Sequence, residues 1–317
     1  MEYYNHFRIE RYTPKMENEW NDFVSRSKNG MFLFDRRYMD YHADRFDDYS
    51  LMIYRKGCLY ALLPAHVADN TLYSHQGLTY GGYIMNSKTS ASGMLETVQF
   101  VNDYLKLNGI NKIVYKPIPY IFHTLPSEED LYAFFRLCNI KTVCCNISSV
   151  IYQKEKLNYD KSRRYGINKA LRLGIKVVES NDFAAFWEIL KNNLETKYGA
   201  KPVHTLDEIR LLRNRFPENI KLYLAQKGNA FVGGVVIYIS KQVVRAQYAS
   251  ANSEGNESGA LDLLFDYLIN EKYADYPYFD FGPSTEQMGN YLNENLIFRK
   301  EGFGARGIVN NIYEFEL

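Results

Sequence analysis

Several polar side chains fall where an α/β chain delivers substrates to its strand ends. Asp280 closes the short apolar run 278–281 and is followed by Gly282 and Ser284, at the edge where open α/β sheets bind ligands. A loop or helix cap explains Asp280 as simply. Gln247 and Tyr248 come late in the run 242–250. A tyrosine there can hydrogen-bond a substrate or relay a proton, or pack in the core. His204 precedes a helical stretch, and His75 stands in Ser74-His75-Gln76-Gly77 at the corresponding place earlier in the chain. Each suits a structural histidine as well as a base.

Two loops open helices and hold glycines. Lys88-Thr89-Ser90-Ala91-Ser92-Gly93 offers a lysine and hydroxyls without an acid, so Lys88, Ser92 and Gly93 would suit a donor's phosphates at a helix start. Ser253-Glu254-Gly255-Asn256-Glu257-Ser258-Gly259-Ala260 sets Gly255 and Gly259 beside two carboxylates. Those carboxylates favour the helix dipole but repel a diphosphate. A capped surface helix accounts for either loop equally well. The stretch 161–176 carries Lys161, Arg163, Arg164, Lys169, Arg172 and Lys176, with only Asp160 just before it as an acid. It would meet phosphates of a nucleotide-sugar or of tRNA, or form a solvated basic face.

Other chemistries are excluded. The four cysteines are Cys58, Cys138, Cys144 and Cys145; the adjacent pair lacks metal-ligand or redox spacing, and no His/Cys/Asp/Glu cluster is spaced for a metal. No Ser-His-Asp or Cys-His arrangement stands out, so a covalent acyl-enzyme is not expected. Asp280-Phe281-Gly282 is not a kinase motif, because no nucleotide loop, strand lysine or His-Arg-Asp loop precedes it. Lys plus Arg is 38 and Asp plus Glu 37, for a net charge of +1, which removes a global basic field for nucleic acid. The residues after Met1 show no signal-peptide pattern, and the longest apolar stretch, 230–239, is too short for a membrane span. A cytoplasmic location is expected, with room for a peripheral membrane contact.

The 317 residues imply about two domains, and a repeat divides them. Residues 50–54 and 220–225 each precede a Lys-Gly pair, Lys56-Gly57 and Lys227-Gly228. In each half a second apolar run follows, 59–67 or 230–239, and then a third, 71–78 or 242–250. A glycine loop comes next, then a helix (92–107 or 260–273) and a closing strand (112–116 or 278–281). Between the repeats, helices are expected at 161–173, capped by Asp160, then from Asp182, and at 206–214. A shorter one is expected at 20–25. The division falls near residue 150, giving domains 1–150 and 151–317.

This order resembles the GNAT acyltransferase fold. A tandem pair is similar to the FemABX aminoacyl transferases and the BioF2-like (FemAB-like) proteins. Ser162-Arg163-Arg164 with Ile167-Asn168-Lys169-Ala170 is similar to the opening of that family's second domain. Tyr198-Gly199-Ala200-Lys201-Pro202-Val203-His204 looks like its turn before a helix, and Asp280-Phe281-Gly282 with Ser284 like its strand end. Asn293, Leu296, Phe298, Lys300, Phe303 and Gly304 follow its tail motif, except that Arg299 separates Phe298 from Lys300.

The resemblance implies two tandem GNAT-like α/β domains with mixed central sheets flanked by helices. It implies an acyl- or aminoacyl-transferase that forms an amide on a peptidoglycan or surface-saccharide precursor. Lys300 would stabilise the tetrahedral intermediate, with Tyr248 and Asp280 also catalytic. Arg164, His204, Gln247, Ser284 and His75 would hold substrate. The donor is acyl-coenzyme A or aminoacyl-tRNA, and the acidic second loop weakens the former. The alternatives are a coenzyme A-dependent N-acetyltransferase for a small amine or amino sugar, and a non-catalytic binding protein that keeps the fold.

Overall fold

Continuous apolar runs become the strands and three-to-four spacings become the helices, in two repeats. The computed structural model describes residues 6–317. Residues 1–5, on which the signal-peptide reading rests, and the side chains of Lys197 and Tyr198 lie outside the described residues. Contacts divide the chain into two compact units. One comprises Met1–Asn146, Gln287–Asn290 and Val309–Leu317; the other comprises Ile147–Glu286 and Tyr291–Ile308. Neither unit is a single run of chain.

The first unit begins β1 (Phe7–Arg11), α1 (Glu17–Arg26), α2 (Arg36–Met39), β2 (Leu51–Arg55) and β3 (Cys58–Leu63). It continues β4 (His66–Ala68), β5 (Thr71–Tyr73), β6 (Ile84–Met85), α3 (Ala91–Leu107), β7 (Lys112–Tyr115) and α4 (Glu129–Leu137). One sheet has the order β1-β2-β3-β6, while β5 pairs antiparallel with β4 and parallel with β7. At three-to-four spacing along α3, Met94, Val98, Val101 and Leu105 form a fully buried stripe, with Leu95 half-buried beside it, in one cluster with Leu51, Ile53 and Leu63.

Two expected strands are shorter here. The run 59–67 breaks at Pro64, which has no amide proton for a ladder, so β3 stops and β4 restarts on other partners. The run 71–78 ends at Tyr73, because the chain turns at His75, which has φ +62°.

The second unit takes β8 (Lys141–Tyr152) from Ile147 onward, then α5 (Lys161–Arg172), β9 (Lys176–Ser180), α6 (Phe183–Tyr198) and α7 (Leu206–Arg215). There follow β10 (Ile220–Lys227), β11 (Ala230–Ile239), β12 (Val243–Ala251), α8 (Ser253–Ser258), α9 (Ala260–Tyr267) and β13 (Tyr278–Pro283). A small hairpin of β14 (Thr285–Glu286) and β15 (Tyr291–Leu292) leads to α10 (Glu294–Glu301). The sheet order is β8-β13-β12-β11-β10-β9, and β12–β13 is its one parallel pair.

Local chemistry fixes the helix starts. Asp160 and Asp182 accept the Arg163 and Ala185 amides, and Thr205 with Glu208 closes a capping box. The helix expected over 260–273 is α9 followed by a π turn, Leu268–Lys272. The last strand, β16 (Arg306–Glu316), joins the first unit through 309–316, pairing Tyr313 with Tyr115 of β7. Among the described residues no helix is long and apolar enough to cross a membrane.

Candidate active site in the second unit

The two parallel strands part. Their register runs Val243↔Tyr278, Val244↔Phe279 and Arg245↔Asp280, and ends there. Beyond it β12 stays on β11 as far as Ala251, while β13 keeps to β8 with a register break between Asp280 and Pro283. The last pair is a buried ion pair: Arg245 Nη1 donates to Asp280 Oδ2 at 2.6 Å. Asp280 is fully buried, and its other oxygen accepts the Gly282 amide at 2.7 Å. This carboxylate thus holds the fork at its base and fixes the first turn of the departing arm.

The other arm carries a β-bulge. Val236 faces Tyr248 and Ile237 faces Ala246, so Gln247 has no opposite residue on β11. The bulge presents Ala246, Gln247 and Ala249 to a cleft of about 220 Å³. Gln247 Oε1 is buried there without a hydrogen-bond partner, a condition that a ligand donor would relieve. Leu261 and Phe265 of α9 and Leu296, Arg299 and Lys300 of α10 line the same cleft.

Lys300 is buried, and its Nζ donates to Gly282 O (2.9 Å), Pro283 O (2.7 Å) and Ser284 Oγ (2.9 Å). All three ammonium protons are engaged. Burial pulls this lysine down to about 8, against the opposing charge of Asp280. A buried ammonium at the cleft wall can switch hydrogen-bond partners when negative charge develops beside it.

The expected site residues fall into separate groups. Lys300, Asp280, Ser284 and Gln247 come together at the fork. Tyr248 points the opposite way from its neighbours and meets His204, with Oη 2.5 Å from Nδ1. Trp187 Nε1 donates to His204 O at 3.2 Å. His204 borders a wider recess of about 540 Å³ beside α6, with Glu188, Lys191, Glu195 and Lys201 on its walls. Arg164 is exposed on α5; its neighbour Arg163 is the one that reaches inward, to Asp262 Oδ1 at 2.5 Å. Gly255 and Gly259 are packing positions. A Cβ on the first would stand 2.0 Å from Val232 O and on the second 2.4 Å from Gly166 O.

In the first unit, Ser90 caps α3 by accepting the Gly93 amide, and Gly93 lies against Tyr60 Oη. Lys88 and Ser92 are exposed. His75 is buried among His42, His66 and Phe46, and burial with those neighbours drives it down to about 2. The parallel pair β5–β7 has no open fork. Ser74 N donates to Val114 O at 3.0 Å, Lys116 N to Ser74 Oγ at 2.7 Å and Gly81 N to Lys116 O at 2.8 Å. Chain thus occupies the gap that stands open in the second unit. Arg245 and Arg299 were not anticipated. A lone charge inside the apolar run Val243-Val244-Arg245-Ala246 is the signal that marks the first.

Residues 158–291 match the family described as an acetyltransferase (GNAT) domain. No curated protein matches the sequence. Solved structures match along the whole chain. FemX aligns at 11% identity and TM-score 0.68 over 98% of this chain and 97% of its own. L-PGS from Bacillus licheniformis aligns at 12% and 0.57 over 96% and 92%. A tandem GNAT protein from the clavulanic acid biosynthesis pathway aligns at 8% and 0.54 over 98% of both. With its acetyltransferase (GNAT) domain match over 158–291 and these likenesses along the whole chain, the chain has a FemABX-like tandem GNAT fold.

Proposed function

We propose that the chain is an acyl- or aminoacyl-transferase that forms an amide, with its reaction centre at the fork of β12 and β13. The observation that carries this reading is the fork itself: two parallel strands parted at an ion pair, with an apolar cleft, an unpartnered Gln247 carbonyl oxygen and Lys300 along it. Backbone groups freed by strand parting can hold the acyl carbonyl as its oxygen gains charge. An amine nitrogen attacks the carbonyl carbon, the bond to the carrier breaks, and the amine proton leaves. Lys300 stabilises the tetrahedral oxyanion, and Tyr248, which faces His204 on the other side of β12, would serve an acceptor entering from the recess beside α6 and take part in moving its proton. Arg164, on the exposed face of α5, and Ser284, held by Lys300, would contact donor or acceptor from the rim.

The donor that fits best is an aminoacyl ester on tRNA. In the loop after β12 the Gly255 amide is taken by Asn252 Oδ1, and Glu254 pairs with Lys227. Little of that loop is left for a diphosphate. FemX and L-PGS share the fold, which supports taking a cell-envelope precursor, peptidoglycan or surface saccharide, as the acceptor class, with the reaction in the cytoplasm. A coenzyme A thioester is the second reading, favoured by the acetyltransferase-domain match. The test is a mass-spectrometric screen of acyl-coenzyme A and charged tRNA pools against peptidoglycan precursors and amino sugars. One new amide that vanishes in Lys300→Ala is expected. No amide with any pair, or an undiminished yield in Lys300→Ala, refutes the assignment.

A further inference from the structure

We propose that Arg299 is the anion-binding residue of the cleft, taking a phosphate or carboxylate oxyanion carried by the molecule that occupies it. The proposal rests on the reading of the fork as the donor site. It starts from charge. Of the residues lining the cleft, two are cationic, Arg299 and Lys300, and none is acidic. Lys300 spends its protons on neutral oxygens, so its charge has no counter-charge in direct contact.

Arg299 has a carboxylate partner that is already engaged. Asp262 Oδ1 accepts Arg163 Nη1 at 2.5 Å and Arg299 Nη2 at 3.4 Å. The first distance is a charge-assisted bond; the second is at the long limit. The other Asp262 oxygen faces the α5 backbone so closely that a Cβ on Gly166 would lie 2.0 Å from it. One carboxylate therefore serves two guanidiniums, and the arrangement carries one surplus positive charge. Burial depresses Arg299, with Arg163 adding to that push and Asp262 opposing it. The Arg299 side chain remains 36% exposed against 16% for Arg163, so it is the one that a ligand can reach.

A guanidinium presents five N–H groups in a planar fork that matches the paired oxygens of carboxylate or phosphate. Arg299 uses one of them, weakly, on a side chain. An arriving oxyanion would take the fork, balance the surplus charge and leave the Arg163–Asp262 bond intact. The anion would be either a phosphate of the acyl carrier or a carboxylate on the acyl group. The chemistry is the same, and only the position of the charge in the ligand differs.

The experiment is calorimetric titration of the full chain at low salt with inorganic pyrophosphate and, separately, malonate. Wild type is compared with Arg299→Gln, Arg299→Lys and, as control, Arg210→Gln, an exposed arginine of α7 away from the cleft. Saturable binding of at least one probe to wild type is expected, weakened tenfold or more in Arg299→Gln. Arg299→Lys, which keeps the charge without the fork, falls between, and Arg210→Gln binds as wild type. Binding of pyrophosphate alone assigns the charge to the carrier, and of malonate alone to the acyl group. The proposal fails if neither probe saturates wild type, or if Arg299→Gln binds as tightly. Binding is read without turnover, so an absent transfer activity overturns the function above but not this site. An unchanged affinity in a protein that does transfer overturns only the role of Arg299.

Discussion

Removing the Asp280 carboxylate should unfasten the fork. In Asp280→Ala, Arg245 Nη1 loses its 2.6 Å carboxylate and the Gly282 amide its 2.7 Å acceptor. Asp280 is fully buried and the Arg245 side chain is 11% exposed, so water does not readily replace either contact. Breaking a buried ion pair from one side costs about 3–5 kcal/mol, mostly from the charge left behind. Replacing both members by apolar groups of similar size is often neutral, so Arg245→Met with Asp280→Leu should recover all but about 1 kcal/mol.

The chain offers a clean reporter. It has two tryptophans, Trp20 in the first unit and Trp187 in the second. In a Trp20→Phe background, urea unfolding followed by Trp187 fluorescence reads the second unit alone. A midpoint displaced by about 3–5 kcal/mol at constant slope is expected for Asp280→Ala. A loss under about 1 kcal/mol, the range of exposed pairs, would refute the claim that this pair holds the strands where they part. So would a double variant no more stable than the single one.

Acid should unfold the first unit ahead of the second. His75 is held down to about 2 and His123 to about 4 by burial, while Asp130 is raised to about 6. The unfolded chain binds a proton at each histidine below about 6.5 and the folded chain does not, so their stabilisation falls with pH; Asp130 acts in the opposite sense. The net loss from pH 6.5 to 5 is about 2 kcal/mol, read by Trp20 fluorescence in Trp187→Phe; an unchanged midpoint contradicts it. Gly255→Ala drives a Cβ to 2.0 Å from Val232 O and should cost roughly 1–3 kcal/mol by overpacking, whereas exposed Ser253→Ala stays within about 0.5 kcal/mol; equal urea midpoints would sink that. Transfer that needs the Lys300 ammonium should decline as pH rises through about 8, and Lys300→Arg should move that limb of the pH–rate profile to higher pH. A limb unmoved in Lys300→Arg belongs to another group.

Legibility in the sequence followed the range of the forces involved. The α3 stripe and the continuous run 230–239 were plain, because burial imposes a local period. Pro64 was visible too, though its consequence, a change of partners between β3 and β4, depends on strands distant in sequence. The fork was half legible. Asp280 and Gln247 stood out as polar residues at strand ends, but the Arg245–Asp280 pairing joins positions 35 residues apart across a parallel register that no local period encodes. The bulge that sends Tyr248 to His204 and Gln247 to the cleft likewise has no sequence mark. That Arg163 reaches inward to Asp262 while Arg164 stays on the exposed face of α5 has a simple geometric reason. Successive residues on a helix are about 100° apart, and a run rich in basic residues does not say which one faces inward.

The placement of 309–317 with the first unit bears on how the chain is made. Ribosomes release the amino terminus first, at about 5–20 residues per second. The second unit's residues, which end at Ile308, have therefore all emerged before the first unit receives its final strand from β16. The nested unit can mature while the outer one still waits with the β7 edge unpaired, a span in which that edge invites mispairing or a chaperone. A fragment cut at residue 150 would stay in that waiting condition permanently, so the first repeat cannot be isolated by truncation alone. A circular permutant that brings 309–317 ahead of residue 6 is the form in which to express it.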